Sequence, residues 1–280
     1  MTSDFRAFAR DKIMIMAAPN GARRTHADHP ALPMTPGELA ECAEQVMAAG
    51  ASVLHLHVRN DDGSHSLDAD RYRAAIGAIR DRVGDGLVLQ ATTEAVGIYN
   101  RDQQMAMVRD LRPEAVSLAL RELCPTDAEE QEAGDFFDWC VREQIWPQYI
   151  LYSPEEAARF ERLRRKGLFG QEHPSALFVL GRYSADLTGD VQQILSFLNV
   201  VEEASVPWTC CCFGRTEAQA MLEAACRGGH TRIGFENNLE LEDGSPAPNN
   251  AALIRQLVDS LPLSNRTAAN ADEVRSIFCS

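Results

Sequence analysis

The sequence predicts a (β/α)8 barrel, a closed ring of eight parallel strands wrapped by helices, in a single domain over residues 1–280. Three observations predict it. The chain has 280 residues, close to the roughly 250 that such a barrel uses. Short apolar runs rich in β-formers alternate eight times with segments of helical periodicity. Glycine and proline are scattered, and no stretch between the runs reads as an interdomain linker.

The runs lie at 12–19, 52–59, 86–93, 115–120, 146–152, 176–181, 208–214 and 230–236. After the first, Thr35-Pro36-Gly37-Glu38 supplies a hydroxyl N-cap, proline at the first helical position and glutamate at the third. Leu39, Cys42, Val46 and Met47 then share one helical face. After the second run, Tyr72, Ile76, Ile79 and Val83 do the same. Ser153-Pro154-Glu155-Glu156 repeats the start signal after the fifth, and Gly228 and Gly229 suit the end of the helix that follows Thr216. An open, doubly wound sheet is the alternative. It would announce a nucleotide site with a glycine-rich turn after the first strand, whereas Pro19-Asn20-Gly21-Ala22 has one glycine.

Hydrophobic residues make up 45% of the chain and charged residues 24%, enough to bury a large core and too apolar for a disordered polymer. A net charge of −14 argues against a nucleic-acid partner, which would call for a basic face. Residues 1–12 lack the pattern of a secretory signal, and no run reaches the ~18 apolar residues of a membrane span. A soluble, cytoplasmic protein with no membrane partner is expected. Of the eight cysteines, three are consecutive, Cys210-Cys211-Cys212. Neighbours on a strand point to opposite faces, so these cannot close a tetrahedral metal site. Reduced, buried thiols are expected.

Chemistry should gather where barrel strands run into the following loops. The second run reads Val53-Leu54-His55-Leu56-His57-Val58-Arg59. Alternation puts His55, His57 and Arg59 on one face and the leucines on the other, towards the helices. Two inward imidazoles at this spacing either chelate one metal ion or pair as core histidines, since unpaired polar rings are costly to bury. In the last run, Arg232, Gly234 and Glu236 share the inward face. Glu236 lies at the mouth as a third ligand, with Arg232 one layer deeper; a structural Arg–Glu pair is the plainer reading.

The stretches 18–22, 28–36, 48–51, 55–59, 178–181 and 228–238 resemble, in order and across nearly the whole chain, the β-keto acid cleavage enzymes. The resemblance implies a zinc-dependent (β/α)8 barrel, usually a homotetramer. It also implies conversion of a β-keto acid plus acetyl-CoA to acetoacetate and a new acyl-CoA. Carried over by position, the zinc ligands fall on His55, His57 and Glu236, and an arginine near the metal on Arg232. Substrate-binding hydroxyls fall on Thr92 and Ser117, with the loop from Asn20 to Arg24 meeting the substrate's far end.

Two positions depart from the family pattern. A well-known member has its proposed base, an aspartate, directly after the glutamate ligand; here stands Asn237, whose amide cannot accept a proton. Glu94, just beyond the third run, is a candidate replacement, with an exposed loop glutamate as the alternative reading. Arg23 stands where amine-substrate members carry a glutamate, which favours an anionic or neutral substrate tail; the plainer reading is that Arg23 turns outwards and Arg24, or neither, faces the pocket. The basic run Arg162, Arg164, Arg165 and Lys166 offers either CoA-phosphate contacts or a solvated helix end. Trp208 reads as packing, and His26 and His29 as loop residues within reach of a substrate. Two rival functions remain: a metal-dependent hydrolase, and a silent ligand-binding barrel that lost its base. The hydrolase pattern puts its His-x-His pair on the first strand and adds histidines on the fifth and sixth, which these runs lack.

Overall fold

The computed structural model describes residues 4–202 and 205–279. Eight strands close into the expected parallel barrel: β1 (Ile15–Ala17), β2 (Val53–Leu56), β3 (Val88–Thr92), β4 (Ala115–Ala119), β5 (Trp146–Leu151), β6 (Ser175–Leu180), β7 (Trp208–Cys212) and β8 (His230–Ile233). Each strand pairs with its sequence neighbour. β8 closes the ring on β1 with Thr231 opposite Ile15, Arg232 opposite Met16 and Ile233 opposite Ala17.

The helices that follow the strands form the outer layer: α1 (Pro36–Ala48), α2 (Ala69–Val83), α3 (Arg101–Leu111), α4 (Glu130–Arg142), α5 (Pro154–Arg165), α6 (Gln193–Leu198), α7 (Glu217–Cys226) and α8 (Asn250–Ser260). α1 begins as its sequence requires. Thr35 Oγ1 accepts from the Glu38 amide, and the Glu38 carboxylate reaches back to the Thr35 amide at 2.9 Å. Ser153 caps α5 by accepting from the Glu156 amide, but the Glu156 carboxylate takes the Tyr152 amide instead, so that capping box is incomplete.

Outward residues of the strands, Leu54 and Leu56 among them, join the inner faces of the helices in one core cluster. Inside the barrel, Met14, Met16, Val53, Val88, Ala115 and Trp146 make an apolar floor at the N-terminal end. Ala271 and Val274 of a last helix, Ala271–Phe278, close it from below. Trp208 is packing as expected: it stacks on Phe178 at 5.4 Å, and a Cβ on Gly229 would meet its ring at 2.3 Å. All eight cysteines are free thiols, six of them buried.

Seven of the eight strands are shorter than their apolar runs, and three of these bear on the site. In the first run, Lys12–Ile13 pairs with Thr267–Ala268 before the barrel strand begins at Ile15. In the second, the barrel strand ends at Leu56, and Val58–Arg59 turns out to pair antiparallel with His65–Ser66. The last strand ends at Ile233, so Glu236 is not a strand residue. Gly234 takes φ +147, where a Cβ would strike the Ala18 carbonyl oxygen at 2.3 Å. The Asn237 and Asn238 amides both fold back onto the Gly234 carbonyl.

Candidate active site

His55 and His57 point inward as alternation required and are buried. Their Nε2 atoms lie 3.2 Å apart, and Glu236 Oε2 is 3.5 Å from His55 Nε2 and 3.7 Å from His57 Nε2. A tetrahedral ion bound about 2.0–2.1 Å from each donor needs donor–donor edges of roughly 3.3 Å. The three side chains are arranged as a set that could hold a metal ion. Their unpaired atoms agree with this: the buried Glu236 Oε2 has no hydrogen-bond partner. Burial, then the nearby Arg232 charge, holds the His55 imidazole well below its ordinary range; burial, then His55, does the same for His57. Both rings are therefore neutral, with lone pairs available to a metal ion.

The orientation of His55 comes from a ladder inside the barrel that the sequence reading missed. Its Nδ1 lies 2.8 Å from Gln90 Oε1 on β3. Gln90 Nε2 donates to Gln148 Oε1 on β5, and Gln148 Nε2 to Thr209 Oγ1 on β7. An amide oxygen accepts only, so His55 Nδ1 carries the hydrogen and Nε2 faces the other ligands. Gln90, on the same strand as Thr92 and two residues before it, was readable as inward-facing by alternation. Its partner was not.

Asn20 is buried and lines the cavity, but its side chain is engaged with the backbone. Nδ2 donates to the Pro33 and His57 carbonyls, and Oδ1 accepts from the His57 amide. It positions His57, and both of its Nδ2 hydrogens are engaged. Arg59, inward by alternation, lies beyond the end of β2. Its guanidinium binds the carbonyls of Gly21, Ala22, Gly63 and Arg24 and fixes the loop after β1.

Glu236 is held in place by the turn that carries it. The buried Glu217 carboxylate, in the first turn of α7, accepts from the Gly234 amide at 3.1 Å and from the side-chain amides of Asn237 and Asn238 at 3.3 and 3.2 Å. Arg24 donates to the Phe235 and Asn237 carbonyls. Asn237 Nδ2 also donates to the Arg232 carbonyl at 3.1 Å. The Asn237 side chain thus faces into the turn and does not line the cavity. These bonds give Asn237 a structural part in the turn. An aspartate there would set a second carboxylate against Glu217.

Arg232 is buried, with Nη2 3.3 Å from Glu236 Oε1 and 3.5 Å from Cys211 Sγ, and Nη1 3.5 Å from His55 Nε2. Thr92 and Ser117 are buried side by side on β3 and β4, their hydroxyls 3.2 Å apart. Glu94 reaches the same mouth. Its Oε2 is 3.8 Å from His57 Nδ1 and its Oε1 3.7 Å from Arg182, with 20% of the side chain exposed. Burial, then Glu236, pushes this carboxyl above the usual range. His65 Nε2 lies 2.9 Å from the Glu94 carbonyl and steadies the loop. Glu94, Glu236, Asn20, Arg23, Arg24 and Arg182 line an open cavity of about 110 Å³ at the C-terminal mouth.

The other candidates lie elsewhere. The basic run at the end of α5 is tied up in ion pairs: Arg162 and Lys166 with Glu130, Arg164 with Glu161 and Glu202, and Arg165 with Glu161. It is a solvated helix end, as the plainer reading held. His26 pairs with Glu38, and the His29 ring packs on Phe235.

The model of the beta-keto acid cleavage enzyme family matches residues 12–279. The chain belongs to that family. As a beta-keto acid cleavage enzyme it breaks a carbon–carbon bond, and the hydrolase alternative falls. It is 30% identical over 274 residues to the 3-keto-5-aminohexanoate cleavage enzyme of Fusobacterium nucleatum, covering 96% of this chain and 98% of that one. It is 27% identical over 272 residues to the 3-oxoadipate:acetyl-CoA acetyltransferase of Cupriavidus necator, covering 95% and 94%. In fold it resembles the binary complex of ObcA with oxaloacetate, with a TM-score of 0.72 at 18% identity, over 89% of this chain and 67% of that one.

Burial pushes Glu217 up to about 8. A carboxyl whose folded-state pKa is raised stabilises the fold fully below its unfolded value of about 4.3 and loses that contribution as the pH climbs through about 8. Glu217→Gln does not titrate. Its unfolding free energy in urea should therefore gain on wild type as the pH rises from about 5 to about 8.5. A gap independent of pH would mean that the carboxyl is ionised throughout.

Proposed function

We propose that this beta-keto acid cleavage enzyme is zinc-dependent and converts a β-keto acid plus acetyl-CoA to acetoacetate and a new acyl-CoA, as a cytoplasmic homotetramer. The observation that carries the reading is the meeting of His55, His57 and Glu236 at tetrahedral spacing, with Glu236 lining the same cavity as Glu94. Names of relatives that specify acetyl-CoA acetyltransfer support the co-substrate.

His55, His57 and Glu236 would hold the ion. Two imidazoles and one carboxylate leave a fourth position open, as in catalytic zinc sites. When bound, zinc supplies a Lewis acid for the substrate's keto oxygen. Arg232 holds a fixed positive charge beside that position, where it stabilises negative charge developing on oxygen. The Thr92 and Ser117 hydroxyls orient the substrate's first carboxylate. Glu94 accepts the α-proton, since its carboxylate is the one on the cavity wall that neither the turn nor the metal set engages. A silent barrel was credible only while Asn237 left no proton acceptor, and Glu94 supplies one. Arg23 is exposed at the rim and makes no hydrogen bond or ion pair among the described residues. It draws anionic substrate tails towards the mouth.

A coupled assay for acetoacetate over a panel of β-keto acids tests the reading as a whole. Purified enzyme should contain about one equivalent of zinc, and His57→Ala should lose it together with activity; full retention of the ion would remove the ligand assignment. Glu94→Gln should lower kcat about 100-fold or more, with the zinc content intact. Near-wild-type turnover would place the base elsewhere. Arg23→Glu should reduce kcat/KM for an anionic-tailed substrate several-fold at low salt. In about 1 M salt, where screening is nearly complete, the effect should fade; a salt-independent loss would contradict a steering role.

A further inference from the structure

One cation in the cavity has no part in the fold or in the chemistry assigned above. Arg182 leaves the barrel directly after β6, and only 17% of its side chain is exposed. Its guanidinium lies 5.4 Å from the Phe213 ring centre and 5.7 Å from that of Tyr183. Tyr183 is itself braced by Arg121, which also packs over Tyr152. The turn behind Arg182 is rigid. Ser184 Oγ lies 2.9 Å from the Gly181 carbonyl oxygen and accepts from the Thr188 amide at 2.9 Å. Gly181, at φ +77, packs so closely that a Cβ would meet the Gly189 backbone at 2.3 Å.

Among the described residues, the one polar partner of this guanidinium is Glu94 at 3.7 Å, beyond hydrogen-bond reach. Five N–H donors on a rigid fork are therefore half-dehydrated without replacement bonds. Arg24, the neighbouring cation, is committed to two carbonyls, and Arg23 stands exposed at the rim. A carboxylate is the group that fills such a fork, with two parallel charge-assisted hydrogen bonds.

We propose that Arg182 is the specificity-determining residue of this cavity. It binds the carboxylate at the end of the substrate remote from the keto group, so the preferred substrates are short dicarboxylic β-keto acids. The proposal rests on the cleavage reading, because it takes the cavity beside Glu94 and Glu236 as the seat of the β-keto acid. The tail is short because Arg182 and the proton-accepting Glu94 touch one another. The same oxyanion chemistry could come from a phosphate of acetyl-CoA, and the experiment separates the two.

The zinc-loaded enzyme is assayed with 3-oxoadipate and with its distal monomethyl ester, and KM for acetyl-CoA is measured alongside. Wild type should prefer the dicarboxylate. In Arg182→Gln that preference should fall about tenfold or more, through KM for the keto acid, the scale of one charge-assisted pair. Arg182→Lys, which keeps the charge without the fork, should retain part of it. An unchanged preference in Arg182→Gln, or a loss confined to KM for acetyl-CoA, overturns the proposal. If wild type turns over no β-keto acid, the cleavage reading fails. Arg182 is then judged by calorimetry with adipate alone, where binding at least tenfold weaker in Arg182→Gln is expected, and absent or equal binding in wild type and variant overturns the assignment.

Discussion

The Glu217 carboxylate, buried behind the barrel wall, fixes the geometry on which the rest of the site depends. β8 stops three residues short of Glu236, and an irregular turn inside a protein leaves backbone donors that must be paired. Glu217 takes the Gly234 backbone amide and the side-chain amides of Asn237 and Asn238 from one side, while Arg24 donates to two carbonyls from the other. Asn250 adds a further pair, accepting from the Phe235 amide and donating to the Pro19 carbonyl. Gly21 then allows the loop after β1 to lie against the ligand, since a Cβ there would meet Glu236 Cγ at 2.6 Å. The position of one carboxylate is thus set by groups from β1's loop, α7 and α8 together.

The barrel interior is divided by chemistry. The floor is apolar, and so is the upper wall on the β4–β7 side, where Ala119, Ile150, Leu177, Val179, Cys211 and Phe213 pack together. The polar groups run across from His55 through Gln90 and Gln148 to Thr209, each satisfied by the next. Charges above this layer sit in a medium that screens them poorly. That is why both imidazoles are held neutral while Arg232 keeps its charge between Cys211 and Glu236.

Periodicity made much of this legible. The order of strands and helices, the start of α1 and the inward facing of His55 and His57 against Leu54 and Leu56 all follow from spacing. Glu236 was placed on the correct side for an incomplete reason, because alternation assumes a strand that in fact ends at Ile233. The positive φ of Gly234 has no signature beyond the glycine itself. That Asn20 and Asn237 tie down loop and turn backbone was not readable, because a sequence does not say which backbone groups need a partner. Glu217 looked like any acidic residue in a helix's first turn, and Arg182 like any loop arginine. Their significance comes from neighbours more than fifteen residues away.

The three residues of the candidate metal site are also drawn from the two ends of the chain. His55 and His57 belong to the second strand and Glu236 follows the eighth, with only β1 between those strands in the ring. A nascent chain that has not yet released its final strand displays two imidazoles and no chelate. The three side chains that could hold an ion therefore come together only when the barrel closes and the last strand docks against the first.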